Sequence, residues 1–157
     1  MPGSGKSTIG KMLATELNYQ FTDLDVYIRE KEGRSLQEII NQEGENALMN
    51  IEKKRMYEID LTRRVVAPGG SLVYHEDLMQ YLKLKAAIIY LNDSLANLEK
   101  RLYNASTRGI IGLKDSSLKK IFAEREPLYQ RYADITINSD GLSRLQIVQE
   151  IVKRLKE

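Results

Sequence analysis

The run Gly3-Ser4-Gly5-Lys6-Ser7-Thr8 stands directly before a stretch of helical apolar spacing, with Ile9, Met12, Leu13 and Leu17 on one face. No other feature narrows the fold as far. It is the second half of a G-x-x-x-x-G-K-[ST] phosphate loop. Glycines let the backbone curl so that its N–H groups converge on phosphate oxygens, and the helix N-terminus adds a favourable dipole. In that pattern Lys6 reaches the terminal phosphates and Ser7 presents a hydroxyl to Mg²⁺, so Gly3, Ser4, Gly5, Lys6, Ser7 and Thr8 form the candidate nucleotide-binding set. The competing reading is a glycine-rich turn capped by Ser and Thr, which leaves the full motif context to chance. The chain has no Asn-Lys-x-Asp run of the guanine-reading kind, which favours an ATP-using kinase over a GTPase.

Composition then removes whole classes of chemistry. With no cysteine there are no disulfides, thiolate zinc sites or cysteine nucleophiles, and with one histidine, His75, no two-histidine metal site. Chemistry is left to Asp, Glu, Lys, Arg, Ser, Thr and backbone amides. The 24 basic and 22 acidic residues leave a net charge of +2, too little to argue for nucleic acid. No stretch approaches the ~18 apolar residues of a membrane span, and glycines and a lysine occupy the place of a signal peptide's apolar core. The expectation is a cytoplasmic protein of one domain over residues 1–157.

Along the chain, helices alternate with short strands. The pattern predicts helices over 5–17, from the Ser35 capping box with Glu38, over 45–63, 95–102, 117–132 and 142–155. It predicts strands over 19–25, 65–67, 72–74, 86–91 and 134–137. Continuous apolar runs alternating with helices argue for an α/β fold, a parallel sheet with helices on both faces. The polar stretch 104–116 is long for a compact α/β unit and contains Gly109 and Gly112, which suggests a mobile lid.

The motif's first glycine would fall one position before Met1, and the strand that should feed the loop is not in the chain. That strand is central in a doubly wound sheet. The expectation is a natural protein beginning roughly ten residues earlier, the length of a short strand and a turn.

Further motifs come into register in order: Phe21-x-Asp23-x-Asp25-x-x-Ile28, Gly44-Glu45 with Glu52, Gly69-Gly70, Arg108, then Arg125-x-Pro127-x-Tyr129 with Ala133-Asp134. In this order and spacing the chain resembles the shikimate kinase family over essentially its whole length. The resemblance implies a P-loop kinase three-layer sandwich whose first central strand is absent from the chain, with an acceptor-binding helical segment over about 24–63. It implies that Asp23 holds Mg²⁺ through water and that Asp25 binds the acceptor hydroxyls and takes the proton of the attacking one. It further implies that Gly69-Gly70 contacts the acceptor, Arg108 closes on the ATP phosphates, Arg125 pairs with the acceptor carboxylate and Arg101 stacks on adenine. If 19–25 is a strand, alternation aims Asp23 and Asp25 at one cavity. Each residue has a plainer reading: Asp23 and Asp25 as a strand end capping the next helix, Gly69-Gly70 as a strand terminator, and Arg101, Arg108 and Arg125 as surface charges.

The acceptor side departs from the family pattern. Met49 stands where the family has a second carboxylate-binding arginine, and Lys53, one helical turn on, is a candidate substitute. Ser71 replaces the third glycine, Pro68 precedes the turn, and Arg108 is followed by Gly109-Ile110-Ile111. A lone His75 is more ordinary as a capping or surface residue than as a contact to the acceptor.

These readings imply an ATP- and Mg²⁺-dependent kinase for a small hydroxylated acid, shikimate at its 3-hydroxyl before others. They imply a monomer with no nucleic-acid or membrane partner. Two alternatives stay open: a kinase for a different polyol or sugar acid, and a nucleotide-binding regulatory module without turnover.

Overall fold

The computed structural model describes residues 1–103, 112 and 117–157. Helix α1 (Lys6–Leu17) starts as expected. Gly5 stands in the left-handed region at φ 85° before it, and Asn18 closes it in the same region. Strand β1 is shorter than its pattern predicted, Gln20–Asp23, because Asp23 caps α2 (Leu24–Glu32), which opens the helical segment that the family resemblance implied from about residue 24. The Asp23 Oδ1 atom accepts from the backbone of Asp25 at 3.0 Å and of Val26 at 3.4 Å, and Gly33 ends α2 at φ 65°.

The Ser35–Glu38 capping box opens α3 (Leu36–Glu43) as predicted. Helix α4 covers Glu45–Glu58, five residues fewer than expected; Ile59 turns extended and its side chain is buried. Strand β2 (Arg64–Ala67) follows. Leu72–Tyr74 is a 3-10 turn rather than the expected strand, leading into α5 (Glu76–Lys83). Strand β3 covers Ile89–Asn92, so Ala86 and Ala87 stand outside it, exposed. Then come α6 (Leu95–Tyr103), α7 (Leu118–Tyr132), β4 (Ile135–Asn138) and α8 (Arg144–Arg154), the last opened by a Ser143–Gln146 capping box. Apart from Gly112, the predicted lid and its Arg108 and Gly109 lie outside the described residues.

All observed strand pairing is parallel, but it forms two separate pairs, β1 with β2 and β3 with β4. Phe21 faces Val65 across the first and Leu91 faces Ile137 across the second. Two main cores form. One gathers α2 to α5 around Leu24, Ile28, Leu48 and Leu78; the other gathers α1 and α8 through Ile9, Leu13 and Ile151 with Leu91 of β3, Ile137 of β4 and Val65 of β2. Between them lies a cleft of about 520 Å³, lined by Val65, Val66 and Ala67 of β2 and by Ile89 and Leu91 of β3. No strand among the described residues occupies it. The edges of β2 and β3 face the cleft, and no described strand pairs with them there. That edge position explains the exposure of Ala86 and Ala87, which also line it.

Candidate active site

The loop 3–8 wraps the N-terminus of α1. Gly3 and Gly5 take positive φ, a conformation that a Cβ would strain. The buried Ser4 donates its hydroxyl to the Met1 carbonyl oxygen at 2.9 Å, and Lys6 Nζ donates to the same oxygen at 2.7 Å. Burial lowers the Lys6 pKa, while the charges of Asp25 and Asp23 oppose the fall. Ser7 and Thr8 are exposed in the first turn of α1.

The Ser7 hydroxyl donates to Asp23 Oδ2 at 2.5 Å. The two oxygens of Asp23 are thus divided: Oδ1 caps α2, and Oδ2 meets the hydroxyl that belongs to the phosphate loop. The plain capping reading holds at this residue, and its second oxygen is left to the Ser7 hydroxyl. A hydroxyl and a carboxylate are hard oxygen donors of the kind Mg²⁺ takes when phosphates and waters supply its other positions. No group of three or more His, Cys, Asp or Glu side chains fit to hold a metal by itself occurs among the described residues.

Arg101, at the end of α6, donates to the Gly3 carbonyl oxygen at 3.1 Å and forms an ion pair with the buried Asp93. It therefore stands against the phosphate loop with its guanidinium anchored.

Asp25 reaches the same region by a different route from the expected one. It lies in the first turn of α2, not on a strand, so helix geometry rather than strand alternation sets its direction. A Cβ placed on Gly69 would run into Glu52 Oε1 and lie 3.7 Å from Asp25 Oδ1. A Cβ on Gly70 would lie 2.9 Å from both Arg125 Nη1 and the Tyr129 hydroxyl. The two glycines are needed because charged side chains from α2, α4 and α7 close on the backbone there. Tyr129 fixes the turn by donating to the Gly70 carbonyl oxygen at 2.6 Å. Arg125, though charged, is only 2% exposed. Its Nε donates to the Tyr74 hydroxyl at 3.1 Å, and its guanidinium lies 5.2 Å from the centre of the Tyr74 ring. Lys6 senses Asp25, Asp23, Arg125 and Glu52 together, so the two groups of residues share one electrostatic centre.

The comparisons fit this geometry. A family model, Shikimate kinase, matches residues 2–156. The chain is 37% identical to the shikimate kinase of Sulfurihydrogenibium sp. (strain YO3AOP1) over 98% of its own length and 93% of that protein. It is 35% identical to the shikimate kinase of Persephonella marina, covering 98% of this chain and 94% of that one. Among solved structures it matches shikimate kinase from Acinetobacter baumannii in complex with shikimate. That match has a TM-score of 0.88 and 26% identity, over 99% of this chain and 88% of the other.

The chain belongs to the shikimate kinase family.

Its kinase fold and its use of ATP follow from that membership. No described helix is long and apolar enough to cross a membrane. Within the shikimate kinase frame, the departures can now be placed. Met49 is half-buried and packs against the apolar cluster of α2 to α5. Lys53 does not replace the missing arginine: its Nζ is held by Asp77 of α5 at 2.6 Å. His75 bonds through Nε2 to the Met49 carbonyl oxygen at 3.1 Å, joining the start of α5 to α4; burial lowers its pKa. This is the ordinary structural role expected of a lone histidine.

One residue of the sequence motifs had been given no role. Glu52 is 3% exposed and accepts a hydrogen bond from the Ser71 hydroxyl. Burial pushes its carboxyl up to about 7, opposed by the Ser71 bond and assisted by the nearby Asp25 charge. The signal was available: Leu48, Glu52 and Met56 share the buried face of α4 at four-residue spacing, and a glutamate between two core positions is out of place unless it is used. Ser71 thus does more than replace a glycine; its hydroxyl is the partner of a buried carboxyl.

Proposed function

We propose that this chain transfers the terminal phosphoryl group of ATP to the 3-hydroxyl of shikimate, forming ADP and shikimate 3-phosphate. The observation that carries the reading is the meeting of Asp25, Gly69, Gly70 and Arg125 with the phosphate loop at Lys6. Loop amides and Lys6 hold the phosphates and offset charge on the transferring group, with Gly3, Ser4, Gly5 and Thr8 shaping the loop. Asp25 orients the attacking hydroxyl and takes its proton as the oxygen–phosphorus bond forms. Arg125 holds the acid group, a planar two-donor contact that suits guanidinium. Gly69 and Gly70 let the acceptor approach the backbone.

Ser7 and Asp23 would hold Mg²⁺, Asp23 through water; the ion supplies charge neutralisation between the phosphates. Arg101 stacks on adenine and Arg108 closes on the phosphates, as in the family pattern. We read residues 1–157 as one domain, acting as a monomer in the cytoplasm on small molecules rather than nucleic acid. The absence of cysteine and the net charge of +2 support that reading.

A second acceptor, another polyol or sugar acid, is favoured by one observation: Arg125 faces the acid group without an arginine at position 49, and Lys53 is engaged by Asp77. Measuring ADP formation from ATP with and without shikimate tests the first reading. Release that depends on shikimate supports it. Release that depends instead on another hydroxy acid, or no release while ADP still binds, rejects it.

A further inference from the structure

Resting on the shikimate reading above, we propose that Tyr74 is the second donor to the acceptor's acid group, standing in for the arginine that position 49 lacks. Tyr74 ends the 3-10 turn Leu72–Tyr74, which follows the Gly69-Gly70 pair. Leu72 and Val73 are buried, and the Tyr74 amide bonds to the Ser71 carbonyl oxygen at 3.0 Å, so the turn anchors the phenol. Tyr74 is 38% exposed, beside an arginine that is almost wholly buried. A strand over 72–74, as the pattern alone suggested, would alternate its side chains and give no such anchored side-on contact.

The hydrogen-bond direction decides the role. Arg125 Nε can only donate, so the Tyr74 oxygen accepts that bond at 3.1 Å. The phenol's own proton has no acceptor among the described residues. A hydroxyl that accepts from a cation is polarised into a better donor. The neighbouring candidates are committed elsewhere. Lys53 is on Asp77, His75 is on the Met49 carbonyl, and the Tyr129 hydroxyl donates to Gly70. The Met49 thioether has no proton to give. A carboxylate meeting Arg125 would therefore find one charged donor and, beside it, one polarised neutral donor.

The test is steady-state kinetics of the wild-type chain and Tyr74→Phe, with shikimate and with its methyl ester. Phenylalanine keeps the ring under the guanidinium and removes only the hydroxyl. Wild-type turnover with shikimate establishes the parent reading on its own; no turnover sinks that reading and this proposal with it. Given turnover, the proposal expects KM for shikimate to rise about tenfold in Tyr74→Phe, the worth of one hydrogen bond to a charged group. It expects kcat, KM for ATP and Tm to stay near wild type, and the penalty to shrink to about twofold or less with the ester, where the acid charge is gone. An unchanged KM for shikimate overturns the proposal. So does an equal penalty on acid and ester, or a parallel fall in kcat and ATP affinity, each of which would mean that Tyr74 supports the fold rather than the acid group.

Discussion

The phosphate side and the acceptor side of this site are built in different ways. The proposed phosphate side is six consecutive residues at one helix terminus. The acceptor side is assembled from the first turn of α2, the buried face of α4, the turn after β2 and the middle of α7. A local device tolerates change elsewhere in the molecule, whereas a site gathered from distant elements can drift one contact at a time. The chain shows this: the motif Gly5-Lys6-Ser7-Thr8 is intact, while Met49, Ser71 and Pro68 all depart from the family pattern on the acceptor side.

The largest effect should come from Lys6→Met. Removing the cation from the transferring phosphoryl should lower kcat by about a thousandfold and leave shikimate affinity, measured by calorimetry, almost unchanged. A shared loss of both would dissolve the division between the two sides. Arg125→Lys should do the reverse, raising KM for shikimate by about a hundredfold with KM for ATP near wild type. Lysine cannot make the planar two-donor contact or the bond to Tyr74.

Met49→Arg should sharpen the comparison in the gaining direction. The arginine stem can lie along the apolar cluster that Met49 now covers, leaving its head at the acid group. KM for shikimate should then fall about tenfold. If it rises instead, the acceptor side has been rebuilt for a different molecule.

The last effect bears on stability rather than on either ligand. Glu52 has its folded pKa raised from 4.5 to about 7, so the native state holds a proton that the unfolded chain releases. That contribution is fully present below about 4.5 and is lost as pH rises through about 7. Glu52→Gln should remove this slope. Wild type should lose roughly 3 kcal/mol relative to the variant between pH 4 and pH 8, read from urea unfolding at a series of pH values. Parallel curves would mean that Glu52 is ionised throughout.

What the sequence revealed follows the same division. The phosphate loop was legible because its residues are adjacent, and the parallel α/β layout because Val65 to Ala67 and Ile88 to Leu91 are continuous apolar runs. Helix α2 was legible only through the family resemblance and not in the local pattern, because Asp23's capping role ends the strand earlier than its pattern suggests. Asp25 was read on strand geometry that it does not have, since it lies in the first turn of α2. Lys53 was misplaced because spacing along a helix shows which residues share a face and not which neighbour captures them; Asp77 arrives from α5. Glu52 stayed hidden because a single carboxylate in an apolar row gains meaning only when Ser71 and Gly69 are brought against it.

The central claim is that the two sides meet between Lys6 and Asp25. Asp25→Asn tests it most directly, with calorimetry for ADP and for shikimate and turnover measured on the same sample. Both ligands should bind within about threefold of wild type while kcat falls at least about a hundredfold, because the amide keeps the shape and cannot take the proton. Turnover at the wild-type rate would contradict the account.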